Sequence, residues 1–313
     1  MAFFSKKSGP EENRIENCGR WPVRLTKFYL EEDYEFPPTD IPEVFFVQKG
    51  NFLHETDGGA QALHTGGIIR VNPGNRHSIK NPEKVLLIRL RYLPEWFSEE
   101  YSLIIHSPDL VALFFDQSWF QYPRDETIHV FTTRKEAARR ISEELAYAQD
   151  LLSEGRQFEP VTRVSLLRLM MLIADEYKRY WRGVGELDFR PEAKHALDVI
   201  ERKIRNGDPF YEKKMARGGY EFAAIETAFR NLTGLEMKAY ADRRRAFHAA
   251  VRLLSTREEP RAISKSTGFS TTSQFSQLFQ NTFGISPNVY RERFGPSQLP
   301  DAANDGKGTN TQA

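Results

Sequence analysis

The C-terminal third of the chain repeats itself. Gly268-Phe269 and Gly219-Tyr220 stand about fifty residues apart, and each is followed by the same apolar spacing and a second glycine. In one copy these are Phe275, Phe279 and Gly284; in the other they are Ile225, Phe229 and Gly234, and Tyr290 and Tyr240 close the two copies. A repeat of this length is one supersecondary unit used twice. Gly268 stands where a helix needs a left-handed exit, a conformation only glycine enters cheaply. Thr271 and Gln274 form a capping box that starts the next helix. On that helix Phe275, Leu278, Phe279 and Phe283 make one apolar stripe. Gly284 ends it, and Ser286-Pro287 caps and opens a further helix. Helix, glycine turn, helix is the plan of a helix-turn-helix, whose second helix enters the DNA major groove.

Opposite the stripe lie Thr272, Ser273, Ser276, Gln277 and Gln280. Hydroxyls and amides hydrogen-bond base edges, and Gln bonds adenine at two points. The same residues also suit a plainly solvated helix face, and their types alone do not choose. Between the two copies, Lys238–Leu254 reads as a linking helix. Its Ala239, Ala246, Ala250, Leu253 and Leu254 face inward, and Arg243, Arg244, Arg245 and Arg252 face mostly outward. The whole chain has a net charge of +1, but between Pro209 and Gly295 basic residues clearly outnumber acidic ones. A locally basic domain is what phosphate contacts require.

The stretch Ile263, Gly268-Phe269, Phe275, Phe279, Phe283-Gly284, Ser286-Pro287 and Tyr290-Arg291 closely resembles the C-terminal signature of the AraC/XylS family of bacterial transcription regulators. The resemblance implies two helix-turn-helix units reading successive major-groove segments. Base-reading residues would be Thr271, Thr272, Ser273, Ser276 and Gln277, with Phe222, Ala223, Glu226 and Thr227 in the first unit. Arg243, Arg244, Arg245, Arg261, Lys265, Arg291 and Arg293 would meet phosphates, which position the protein without reading sequence. The first unit departs from the family. Its leading helix, Tyr211–Arg217, carries Lys214 where an apolar residue is usual, and Glu221 and Glu226 repel phosphate, although glutamate accepts from cytosine N4. Glu259 replaces an apolar residue just before the second unit. The first unit is therefore expected to read few bases or to bind weakly.

At 313 residues the chain is long enough for two domains, each with its own core. The single cysteine, Cys18, excludes an intramolecular disulfide framework and a cysteine-based zinc site, and fits a reducing compartment. No apolar run reaches the roughly 18 residues of a membrane helix, and the N-terminus lacks a signal peptide. A cytoplasmic protein with no membrane partner is expected.

Before the repeat, short strands alternate with turns: Trp21–Leu30, a hairpin in Glu43–Glu55 turning at Lys49-Gly50-Asn51, Ala60–His64, Ile68–Val71 and Val85–Tyr92. Such spacing suggests a small barrel. Glu43 before Gly50, then Gly67, Pro73, His77 and Asn81, resemble the cupin motifs found at the N-terminus of many AraC-like regulators. Cupin enzymes add two histidines six and four residues before the glutamate; here those positions are Pro37 and Thr39. Two ligands of four make too few for a transition-metal site, so no metal and no cofactor are expected. His77 then either sits in a turn satisfied by backbone groups or hydrogen-bonds an organic effector. Tyr34, Phe36, Phe46, Arg70, His77 and Arg89 are the candidate effector-binding residues, and the aromatic ones suit a plain core equally well. Phe45 and Phe46 fall on opposite faces of a strand.

The fold expected is α+β in two domains. Residues 1–20 form a flexible N-terminus, 21–97 a cupin-like barrel and 98–182 a helical segment with long amphipathic helices at Glu136–Leu152 and Pro160–Trp181. Residues 183–191 form a linker, 192–295 the double helix-turn-helix domain and 296–313 a disordered tail. In the related regulators such helices often join two protomers; packing within one chain is the other use of the same surfaces. Implied partners are double-stranded DNA, a small-molecule effector such as a sugar, a second copy of the chain and RNA polymerase. Two rival readings remain: a cupin metalloenzyme fused to a DNA-binding domain, and an effector-independent regulator whose barrel only dimerises. The first reading, a regulator and not an enzyme, is the one adopted.

Overall fold

The computed structural model describes residues 15–115, 119–120, 128–180, 189–208 and 219–295. The expectations for residues 1–14, for most of the linker, for the leading helix Tyr211–Arg217 with Lys214, and for the tail lie outside these.

Eight antiparallel strands form the N-terminal sheet: β1 (Ile15–Cys18), β2 (Val23–Leu30), β3 (Tyr34–Phe36), β4 (Glu43–Thr56), β5 (Gly59–His64), β6 (Gly67–Val71), β7 (His77–Tyr92) and β8 (Ile128–Thr132). Their main order is β1-β2-β7-β4-β6-β8, while β3 adds to the first half of β7 and β5 to the second half of β4. The long strands β4 and β7 thus belong to both halves of a sheet that folds over on itself.

The expected hairpin at Lys49-Gly50-Asn51 is not formed. β4 runs straight through it, and its pairing with β7 shifts register between Val47 and Leu53. Gly50 has φ +90°, and a Cβ there would lie 2.6 Å from the Glu83 carbonyl oxygen. Only glycine allows that backbone approach, so the residue marks a β-bulge rather than a turn. β1, too, falls in the stretch expected to be loose, where it pairs with β2 from Ile15 opposite Phe28 to Cys18 opposite Leu25. β8 lies within the segment expected to be helical and pairs with β6.

The folded sheet has two apolar faces. Phe28, Leu30, Phe36, Phe45, Val47, Ile69 and Leu87 pack inside the fold. Val44, Phe46, Ile68, Ile88 and Leu90 lie on the other face and join a core shared with the helices. Over this outer face, short helical turns spanning Pro94–Phe115 lead towards helices α1 (Lys135–Ser153) and α2 (Pro160–Tyr180). These two pack against each other, with Ser165 of α2 donating to the buried Glu144 of α1 at 2.8 Å.

The C-terminal unit is all helical: α3 (Pro191–Arg205), α4 (Phe222–Thr233), α5 (Met237–Ser255), α6 (Pro260–Ser266), α7 (Thr272–Phe283) and α8 (Pro287–Phe294). Proline opens α3, α6 and α8, where the missing N–H costs no helical bond. The unit does not hang free from the sheet domain. Tyr101 and Tyr240 meet through their hydroxyls at 2.9 Å. Tyr290 donates its hydroxyl proton to buried Glu95. Arg293 pairs with Asp40 at 2.8 Å, and Trp21 meets Phe294 edge to face.

No described helix is long and apolar enough to cross a membrane.

Candidate nucleic-acid interface and effector cleft

α6 and α7 are set by the turn between them. Gly268 has φ +79°, a left-handed conformation that favours glycine, and a Cβ there would also crowd the Gly207 carbonyl oxygen at 3.2 Å. Thr271 caps α7, its hydroxyl oxygen accepting from the Gln274 N–H at 3.1 Å, as the capping pattern predicts. Phe275 and Phe279 are fully buried and pack edge-to-face or tilted against one another and against Phe283 and Tyr290. This aromatic column holds α7 against α5 and turns its other face outward. Thr271, Thr272, Ser273, Gln274 and Gln277 are exposed there, and Ser276 is half-buried beside them.

The first unit is built on the same plan with different chemistry. In α4, Ile225 and Phe229 are buried, Gly234 ends the helix, and Ala223 and Thr227 are exposed. Phe222 packs partly against the core. Glu226 is half-buried and pairs with Arg230, which also reaches Glu236, each at 3.4 Å. The negative charge that opposes phosphate is therefore partly balanced within the helix.

The basic residues divide sharply. Arg261 and Lys265 of α6 are exposed and make no ion pair among the described residues. Arg245 bonds Asp242 at 3.1 Å, and Arg243 lies half-buried over Phe247. Arg291 is structural: its guanidinium donates to the carbonyls of Leu253 and Glu258, clamping the end of α5. Arg293 is engaged with Asp40.

Arg244 corrects the expectation outright. It is fully buried, 4.5 Å from the Tyr101 ring and 4.6 Å from the Trp119 ring, which stack on each other beside it, and is forked onto Glu201 of α3. Burial by itself would raise the Glu201 pKa, but Arg244 and His248 outweigh it and hold the carboxyl at about 2. Arg244 cannot reach a phosphate; it is a keystone between the helical unit and the segment under the sheet.

In the barrel, the register aligns side chains in rows on the concave face. Arg24, Arg91 and Glu43 form one row across β2, β7 and β4; Thr26, Arg89 and Phe45 form the next. Tyr34 and Arg89 line a cleft of about 430 Å³ at this end, together with Arg24, Arg91, Asn17, Cys18 and Phe28. Of the other expected effector residues, Phe36 is buried behind the cleft and stacks on His77 at 4.7 Å. Phe46 is corrected: it joins the core on the helical side of the sheet. Arg70 is corrected too, since alternation puts it on the face of Ile68, where it is buried and donates to the Val71 carbonyl.

His77 does not sit in a turn satisfied by backbone groups: it lies in β7, its Nδ1 meets Nε2 of His54 at 3.1 Å, and its own Nε2 is buried without a partner. Burial pushes His54 down to about 4; burial, then His54 and Arg89, push His77 to about 3. Glu43 pairs with Arg89 at 3.3 Å. Among the described residues no cluster of three or more potential ligands is able to hold a metal ion.

Sequence reasoning overlooked Arg24, Arg91, His54 and Glu201. The arginines had a signal: in VRLT and IRLRY they occupy every second position, on the face that alternation turns inward.

The helix-turn-helix family model matches residues 219–293. The C-terminal unit is an AraC-type helix-turn-helix domain. Its presence makes the chain a DNA-binding transcription regulator. Two relatives align with nearly the whole length of this chain. The HTH-type transcriptional activator RhaR of Mannheimia succiniciproducens is 20% identical over 282 residues, covering 87% of this chain and 92% of the relative. That of Yersinia pestis bv. Antiqua is 23% identical over 298 residues, covering 91% and 93%. Among solved structures, ToxT from Vibrio cholerae with a bound unsaturated fatty acid aligns over 88% of this chain and 97% of its own, at 10% identity and a TM-score of 0.43. That superposition is too loose to carry a functional argument.

Proposed function

We propose that the protein is a one-component regulator, probed by an effector at its barrel and bound to DNA through its AraC-type domain. The observation that carries this reading is α7: a helix pinned by a buried aromatic column on one side and lined with exposed Thr272, Ser273 and Gln277 on the other. Hydroxyls and amides at the start of a helix are suited to base edges, and Arg261 and Lys265 of the preceding helix are placed for flanking phosphates. The first unit, with Ala223, Glu226 and Thr227, contributes weaker readout. The relatives' names support an activator; RNA polymerase as a partner, action in the cytoplasm and the absence of enzymatic activity belong to the same proposal.

The chain acts as a dimer in this proposal, joined through α1 and α2. Tyr147 and Val164 are 48% and 59% exposed on these helices. Large apolar side chains left in water on adjacent helices suit a protein contact. Retardation of genomic duplex fragments by the full chain tests the function. Loss of retardation in the Thr272→Ala/Gln277→Ala double variant supports it, and equal retardation by both proteins contradicts it.

A further inference from the structure

One carboxylate faces three guanidiniums at the cleft end of the barrel. Arg24 and Arg91 are directly opposed across β2 and β7, an arrangement of like charges that destabilises a sheet unless something offsets it. Glu43 engages Arg89 at 3.3 Å. Arg24 and Arg91 make no ion pair among the described residues; instead both lie over the Trp21 ring, at 4.6 and 5.7 Å. The Nε atoms of Arg24, Arg89 and Arg91 are all buried without a hydrogen-bond partner. A buried N–H on a cation left unmade is costly, and three in one cleft is not the composition of an ordinary core.

Burial, then Arg91, lowers the Arg24 pKa. Burial, set against Glu43, brings Arg89 to about 10. Guanidiniums stay charged at neutral pH, Arg89 at about 10 included, so the excess positive charge is present whenever the protein works.

We propose that this cleft binds a small organic anion as the effector, its carboxylate or phosphate group held on Arg24, Arg89 and Arg91. The inference rests on the reading of the barrel as an effector site and names the class of molecule it takes. The planar fork of arginine matches both groups bidentately. A cleft of about 430 Å³ accommodates a metabolite-sized acid, with Phe28 and Tyr34 beside its carbon skeleton. The bound anion neutralises the Arg24–Arg91 repulsion and stiffens the β2–β7 pairing. A neutral sugar leaves the positive charge of all three guanidiniums unbalanced.

The test is thermal unfolding of the full chain with citrate, benzoate, glucose 6-phosphate, inorganic phosphate and glucose, each at the same ionic strength set with sodium chloride. A ligand bound only by the folded state raises Tm. The expected result is a rise with at least one anion and none with glucose. Its apparent Kd weakens at least tenfold in Arg24→Gln and in Arg91→Gln, and less in Arg91→Lys. Response to citrate or benzoate identifies a carboxylate; response to glucose 6-phosphate or inorganic phosphate identifies a phosphate. Ligand-free Arg24→Gln is expected to melt no lower than the parent, because one like-charge contact is gone. Equal anion responses in parent and variants overturn the inference. A response to glucose alone overturns it too, but leaves effector control standing. Silence towards every probe, in protein that still retards DNA, overturns both.

Discussion

The hydroxyl of Tyr101, in the segment beneath the sheet, lies 2.9 Å from that of Tyr240, in the helix joining the two DNA-reading units. Both side chains are fully buried, so each hydroxyl depends on the other for a partner. Tyr101→Phe is expected to cost about 1–3 kcal/mol, the penalty for orphaning a buried polar group. Tyr101→Phe/Tyr240→Phe should recover part of that loss. Urea unfolding of the two single variants and the double variant measures the coupling; strict additivity contradicts it.

Arg244 and Glu201 form a buried pair in which each neutralises the other. Arg244→Met removes one partner and is expected to cost about 3–5 kcal/mol at neutral pH. Folding lowers the Glu201 pKa from 4.5 to about 2, so its contribution is present above about pH 4.5 and lost as pH falls towards 2. The gap in Tm between parent and variant should therefore narrow on acidification. A gap constant with pH is the contrary result.

The His54–His77 pair gives acid sensitivity over a different range. Unfolded histidines take up protons near pH 6.5, whereas in the fold these two do so only at about 4 and about 3. Stability is complete above about pH 6.5 and declines as pH falls through this window, because the unfolded chain binds more protons there. His54→Gln/His77→Gln should flatten the plot of Tm against pH between 4 and 6.5, and an unchanged slope speaks against the pair.

How far the sequence could be read depended on which level a residue's role belonged to. The repeat around Gly219 and Gly268 was legible because a left-handed turn, a cap and an apolar stripe are local requirements written within a few residues. The role of Gly50 was not, since a turn and a bulge both call for glycine, and only the partner strand at Glu83 and Lys84 tells them apart. Arg244 shows the same limit more sharply. Helical spacing located the linking helix within a residue or so of its ends, but its arginine-rich face meets Tyr101, Trp119 and Glu201, contacts from far along the chain. β8 was missed because a short strand after a long aromatic segment has no periodicity of its own.

Base reading and phosphate contact should separate cleanly on α6 and α7. Gln277→Ala is expected to cost roughly 1–3 kcal/mol at a cognate site and to relax preference at one base pair. Lys265→Ala should weaken binding to all sequences alike and reduce the slope of log affinity against log salt by about 1. Fluorescence anisotropy on cognate and scrambled duplexes distinguishes the two, and a uniform loss from Gln277→Ala removes it from the reading face.

Selection of bound sequences from a random duplex pool by the full-length protein tests the central claim most directly. Two units on one domain predict an enriched site with two elements about 10 base pairs apart, one helical turn, the stronger one lost in the Gln277→Ala variant. Recovery of no enriched sequence, or of one that Gln277→Ala leaves unchanged, contradicts the claim that α7 reads DNA.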